Sequence, residues 1–361
     1  MNPKLSYTQI LELIDDFNPA TYAKTRNHLR GAVSRLSPYI TRGVISLPVV
    51  QARVLKKYPG NKSEKFIQEL AWREYFQKVY LAKGKEIFTD LRYPRNDWEH
   101  SHVVTSIASA TTGIQAIDTE IEQLKETGYM HNHARMWTAM LACNVAKADW
   151  RAMSKWLYYY LIDGDLASNT LSWQWVAGTS SAKRYVSDQS LINGCSDTKQ
   201  TGTYLDIERT EVGEGAIPEV LKASEPFSLQ TKYPASDAFA SMAGKIVHLY
   251  HPWSIDPSWK GGEEGEKIFI IEPRLFDVHP VSDVVMQHML ELLATHVPEA
   301  AIFVGNVETL PDIKDATVYS KKHPATMHFP GTKEPAAELH PDVQGYYPSF
   351  FKFWNACQQV R

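Results

Sequence analysis

Apolar residues recur at helical spacing through the first half of the chain and gather into short, nearly continuous runs towards its end. Ile10, Leu13, Ile14 and Phe17 form one stripe, which predicts a short amphipathic helix over Ser6–Phe17. Phe66, Leu70, Phe76 and Tyr80 predict a long helix over Ser63–Lys83, and Ile114, Ile117, Ile121 and Leu124 a packing helix over Ile114–Thr127. Further on, Asn132, Arg135 and Met136 fall at i, i+3 and i+4, and Asp165, Asn169 and Trp173 repeat at steps of four, so each set shares a helix face. Residues 84–113 read as loop, with Gly84, Pro94 and Gly113 as punctuation. From Lys245 the period changes. The runs IVHLYH, KIFIIEP, AAIFVG and ATVYS, with a helix over Asp283–His296, give the βαβ rhythm of a small buried parallel sheet. The last stretch, YYPSFFKFWNACQQ over Tyr346–Gln359, predicts a docking helix. The fold class is therefore α+β and multidomain: a helical domain over 1–193, an extended wrap or linker over 194–244, and a small α/β domain over 245–361.

With 361 residues, 43% hydrophobic and 22% charged, the chain has the composition of a soluble globular protein large enough for a sizeable core. No apolar run approaches the ~20 residues of a membrane-spanning helix, and the start, MNPKLSYTQI, carries no secretory signal pattern. Cys143, Cys195 and Cys357 are odd in number and far apart, which points to a reducing compartment, so a cytoplasmic location is expected. Charge divides unevenly. Residues 1–193 hold 24 Lys and Arg against 18 Asp and Glu, whereas residues 194–361 hold 14 against 23. A nucleic-acid face is compatible with the first part only.

Candidate chemistry concentrates between Thr127 and Leu191. An arginine, two asparagines, an aspartate and a line of indoles suit a large, flat, redox-active, anionic ligand; a helical core with a satisfied polar network has the same ingredients. In SRLSPYITRG, clustered hydroxyls near a helix start make either a phosphate seat or a plain Ser/Pro turn. Glu69, Trp72 and Arg73 share a face; the two charges alone could be a surface ion pair, but an indole beside them is harder to place on a surface. His100/His102 and His131/His133 are spaced as HxH, without the further ligands of a zinc or nuclease site, so no metal is expected. No GxGxxG or GxxxxGK[ST] occurs, which removes the usual dinucleotide and P-loop fingerprints.

The motifs TGYMHNHARM, Ala148-Asp149-Trp150, DGDLASN, WQWVAGT, SRLSPYITRG and ELAWRE together resemble the photolyase/cryptochrome family over about residues 20–190. The resemblance implies a helical FAD-binding domain and light-driven repair of cyclobutane pyrimidine dimers in DNA, with a cryptochrome-like photoreceptor as the alternative; a monomer is the expected state. It implies cofactor contacts at Tyr22, Ser34, Arg35, Leu36, Ser37, Phe66, Glu69, Arg73, Asn132, Arg135, Asp163, Asp165 and Asn169, with Tyr22, Ser34 and Ser37 at the diphosphate and Asn169 facing N5 of the flavin. Glu69, Trp72, Asn132, Met136 and Trp175 would contact the lesion. Trp150 and Trp173, 23 residues apart, match two members of the family's electron-hopping chain. Three departures stand out: Ala32-Val33 where Thr-Ser is usual, His133 where repairing relatives carry an arginine, and Ile107 at the outer tryptophan position. The outer donor is left to Trp98, Trp156 or Tyr159. The family's α/β antenna domain normally precedes the helical one, so the α/β segment after residue 245 reads as a relocated counterpart or an unrelated addition.

Overall fold

The computed structural model describes residues 5–360; Met1–Lys4, part of the start examined for a signal, lie outside the described residues. Two compact units are present, and neither is continuous in sequence. One comprises the chain up to Pro19, Ser34–Ala82 and the chain from Gln230 on; the other comprises Ala20–Val33 and Lys83–Leu229.

The first unit carries the parallel sheet. Its strands are β1 (Ile246–Tyr250), β2 (Glu266–Ile271), β3 (Ala301–Val304), β4 (Thr317–Lys321) and β5 (Thr332–Glu334), in the order β3-β2-β1-β4-β5. All neighbours run parallel, with Leu249 opposite Ile268 and Ser320 in register. This is a doubly wound order that reverses between β1 and β4. Val247, Leu249, Ile268 and Ile270 are at most 1% exposed, as their apolar runs require. The helix over Asp283–His296 forms as expected, capped by Ser282. Also in this unit, the Tyr7–Asp16 helix begins with a complete capping box between Ser6 and Gln9, a device worth ~1 kcal/mol. Arg53 of the Leu47–Lys57 helix pairs with Asp15 at its far end.

At the reversal, where such sheets often open a crevice, the carboxyl ends of β1 and β4 are closed by side chains. His323 stacks flat on Trp253, with ring centroids 4.3 Å apart and planes at 4°. His251 contacts both, and its Nε2 lies 3.0 Å from the Lys321 carbonyl. Burial holds His251 down at about 4 and His323 well below the usual range. Both imidazoles are therefore neutral in the folded protein, while the unfolded chain takes up protons below pH ~6.5. Stability is full above that pH and falls as the pH drops towards the folded values. For His251 the expected loss by pH 5 is about 2 kcal/mol, and His323 adds to it in the same direction. Calorimetry at pH 7.5 and 5 should give a Tm several degrees lower in acid, and His323→Phe, which keeps the stack, should narrow that gap. An equal gap in both proteins would remove His323 as a source.

The second unit is helical. Its core gathers Ile117, Ile121 and Leu124 of the Gln115–Thr127 helix, Trp137 of the Asn132–Met140 helix, Trp156 of the Trp150–Tyr160 helix and Trp173 of the Leu166–Ala177 helix. The Gln115–Thr127 helix ends on Gly128 at φ 72°, and a Cβ there would lie 2.4 Å from Ile162 Cγ2, so glycine is required twice over. The segment after Leu191 is neither long helix nor free linker: Ser224–Glu225 pairs antiparallel with Val103–Val104, and Leu205, Val212 and Leu221 are buried in the core. No described helix is long and apolar enough to cross a membrane.

Candidate functional site

In the helical unit, the centre of the predicted constellation is an ion pair. Asp163 sits in the turn before the Leu166–Ala177 helix and is 4% exposed. Arg135 Nη2 donates to both of its carboxylate oxygens at 2.9 Å, and Arg135 Nε donates to the Met130 carbonyl at 2.9 Å. The guanidinium is thus fixed at three points, and its Nη1 group makes no protein hydrogen bond among the described residues. Asp165 is the N-cap of the next helix, accepting from Ser168 N at 2.6 Å, so its primary local task is to satisfy a helix end.

One turn on, Asn169 donates from Nδ2 to the Ser154 carbonyl (3.0 Å) and to Ser154 Oγ (3.1 Å). A carbonyl can only accept, so Nδ2 must point there and Oδ1 must point away. That oxygen accepts no protein hydrogen bond among the described residues. Arg135 and Asn169 are both half-buried. A donor group and an acceptor group, each oriented by its neighbours and each uncommitted, are what the polar edge of a flavin requires, and these residues fit that group.

Around them, Asn132 opens its helix and is exposed, and Met136 is half-buried against the core. Trp175 is 42% exposed and tilts against Tyr185 at 5.5 Å. Trp173 and Trp150 are 2% and 3% exposed, and Trp150 Nε1 donates to Asp90 Oδ1 at 2.8 Å with the Arg151 guanidinium 5.2 Å over the ring. Ile107, where the resemblance led to the expectation of an outer tryptophan, is fully buried. Among the alternatives, Trp156 contacts Tyr160 at 5.6 Å, and Tyr160 contacts Tyr159 at 4.8 Å, whereas Trp98 is 40% exposed.

His133, which stands where repairing relatives carry an arginine, is 7% exposed, with Nδ1 2.7 Å from the Asn27 carbonyl and Nε2 3.1 Å from the Tyr185 hydroxyl. Burial lowers its pKa, so this imidazole is a neutral strut and not a substitute for a cationic arginine. Asn27 and Tyr185 were missed in the sequence because they lie 106 and 52 residues away from it. Tyr22 is half-buried in the Pro19–Thr25 helix. In the turn that follows, a Cβ on Gly31 would meet the Thr25 carbonyl oxygen at 2.0 Å, which explains the glycine before Ala32-Val33.

In the other unit, Ser37 starts a one-turn helix, Ser37–Thr41, with Pro38 at its second position. Ser34 Oγ accepts from Leu36 N at 3.4 Å, and Arg35 is exposed with φ 53°, a left-handed conformation that costs a non-glycine residue ~1–3 kcal/mol. Arg73 Nη1 donates to Thr41 Oγ1 at 2.9 Å, joining this turn to the Asn61–Lys83 helix. Glu69 pairs with Lys65 at 2.8 Å, both about one third exposed, and Trp72 is half-buried on the same helix. Two of the candidates have core side chains: Leu36 is fully buried, and Phe66 is 3% exposed and packs on Phe17 at 4.5 Å. Their side chains are committed to packing, which leaves backbone groups for any ligand.

Residues 66–208 match the family described as FAD binding domain of DNA photolyase, so the protein carries an FAD-binding domain of this class. Over this stretch and beyond, the chain is similar to proteins named as photolyases and cryptochromes. It is 34% identical over 214 residues to a deoxyribodipyrimidine photo-lyase of Streptomyces griseus, covering 58% of this chain and 46% of that protein. It is 30% identical over 252 residues to the cryptochrome DASH of Danio rerio, covering 66% and 46%. A class III photolyase structure from Agrobacterium tumefaciens aligns with 26% identity and a TM-score of 0.45, covering 52% of this chain and 41% of that one. The chain spans about half the length of the curated relatives it matches.

Proposed function

We propose that the protein is a light-driven, FAD-dependent enzyme that splits cyclobutane pyrimidine dimers in DNA. The observation that carries this reading beyond flavin binding is the Glu69 carboxylate with Trp72 on one helix, one turn apart and both partly accessible. A hydrogen-bond acceptor beside a flat apolar ring can hold an extruded pyrimidine pair, whose poor stacking makes flipping cost only a few kcal/mol. When bound, the reduced flavin supplies one electron under blue light and regains it after the cyclobutane ring opens, so there is no net redox change.

The chain's own residues bind and orient. Arg135, fixed by Asp163, would set positive charge beside the flavin's anionic edge in a poorly solvated place. Asn169 would present Oδ1 as an acceptor to the N5 position. Ser34 and Ser37 would serve the diphosphate, with Arg73 holding the end of their turn through Thr41. Glu69 would hydrogen-bond a pyrimidine edge, with the Lys65 ammonium adding positive charge near the reacting ring.

Glu69→Ala tests the reading. With chemically reduced protein under blue light, repair of a dimer-containing oligonucleotide should fall by about 10- to 100-fold, the equivalent of ~1.5–3 kcal/mol for a charge-assisted hydrogen bond. Flavin content should stay near that of the parent. Equal repair by mutant and parent would take Glu69 out of the reaction. A parent protein that binds FAD and repairs nothing would overturn the repair reading and leave the photoreceptor one standing.

A further inference from the structure

We propose that Phe350, from the C-terminal helix, is a positioning residue for Trp72: it backs one face of the indole so that the ring is held flat for a pyrimidine dimer to stack against. The inference rests on the reading of Trp72 as a lesion contact given above. The Phe350 and Trp72 rings are 3.8 Å apart at 10°, a parallel stack. Trp72's other ring neighbours are Tyr75 at 81° and Phe76 at 45°, so Phe350 alone lies parallel to it among the described residues. The arrangement is sided: Phe350 is 2% exposed, while Trp72 keeps solvent contact.

Phe350 is itself held in place. Trp354 lies parallel to it at 6.2 Å and 13°, and Tyr75 meets it edge-on at 5.9 Å. Its helix, Phe350–Gln359, starts on a Ser349 cap and buries Phe353 and Cys357 completely. The chain leading to it is tied to the helix that bears Trp72. Glu74 accepts from Leu339 N at 2.6 Å, Lys78 pairs with Glu338 at 2.7 Å, and the Tyr75 hydroxyl donates to the Tyr347 carbonyl at 3.3 Å. Burial raises the Glu74 pKa, and the Lys78 charge and the backbone amides of Leu339 and His340 act against it. A surface indole left alone samples several rotamers, and ordering it is a cost that a ligand must meet. A buried ring behind it meets that cost in advance.

The experiment compares Trp72→Ala, Phe350→Leu, Phe350→Met and Phe350→Tyr with the parent protein. It measures, in the dark by fluorescence anisotropy, the ratio of affinities for an oligonucleotide with one thymine dimer and for its undamaged counterpart. Trp72→Ala should lower that ratio by about 10-fold or more, as for loss of a stacking partner. Phe350→Leu and Phe350→Met, which keep apolar volume but lose the flat ring, should lower it by about 3- to 10-fold. Phe350→Tyr should restore it to within about 2-fold of the parent, and flavin absorbance should be unchanged throughout. An unchanged ratio in Trp72→Ala would overturn the lesion reading and this inference with it. A lowered ratio in Trp72→Ala with parent-like values in both Leu and Met variants would overturn the inference alone. So would a raised ratio in those variants, which would make Phe350 an occupant of the lesion's place.

Discussion

Asp163→Ala is expected to yield a protein that purifies with little flavin and unfolds at a lower temperature. The carboxylate is almost wholly buried and takes both contacts from Arg135 Nη2. Removing one partner of a buried pair costs ~3–5 kcal/mol, because the remaining charge is left desolvated and unpaired. The Arg135 side chain keeps 21% of its exposure, so water recovers part of that loss and the lower end of the range applies. Even so, a guanidinium without its anchor samples other rotamers, and its free Nη1 group no longer points where a flavin could use it. Losing the charge-assisted hydrogen bond that this group would make to the flavin costs ~1.5–3 kcal/mol, a fall of about 10- to 100-fold in FAD affinity. Asp163→Asn, which still accepts hydrogen bonds, should lie between the two. Flavin absorbance per protein and a thermal melt are sufficient readouts. A fully loaded Asp163→Ala protein with parental Tm would show that the pair is dispensable.

Trp173→Phe should abolish or strongly slow the photoreduction of oxidised FAD while leaving repair by pre-reduced protein intact. Phenylalanine nearly fills the volume of this buried indole, so folding survives at a packing cost of ~1–3 kcal/mol. Its ring is much harder to oxidise, so a first hop through this position would fail. Trp150 adds a chemical reason to expect hopping. Its indole N–H already donates to Asp90, and an oxidised indole is a far stronger acid with an acceptor in place. The nearby Arg151 charge opposes a hole on the ring, but Arg151 is itself paired with Asp90 and Asp149. Absorbance loss under blue light with an external reductant, normalised to FAD content, decides the matter. An unchanged normalised rate would mean that the two tryptophans are packing only.

The helices were legible because their apolar faces are periodic. The expected Ser6–Phe17, Ser63–Lys83 and Ile114–Thr127 segments appear as Tyr7–Asp16, Asn61–Lys83 and Gln115–Thr127, and Asp283–His296 has the expected ends. Four of the five parallel strands were legible as apolar runs. The fifth, Thr332–Glu334, was not, because an edge strand reading TKE has no apolar signal to give. At the candidate site, Arg135, Asp163 and Asn169 were picked out through family motifs, but the orientations of Arg135 and Asn169 depend on Met130 and Ser154, which no motif marks. The stack of Phe350 on Trp72 joins positions far apart in the chain and leaves no trace in local periodicity. The same holds for the burial of His133.

The interleaving of the two units bears on how the gene can be handled. The backbone passes between them near residues 19, 33, 82 and 229. A stop codon after Leu229 would therefore not trim an appendage. It would delete all five parallel strands and the Phe350 helix, and strand the Ser34–Ala82 segment without the partners that cover Trp72 and Tyr75. Each unit is assembled from chain segments made at different times during synthesis, so the earlier pieces wait on the ribosome for the later ones. In evolutionary terms, neither unit can be lost or exchanged by a single crossover, and the two are inherited together.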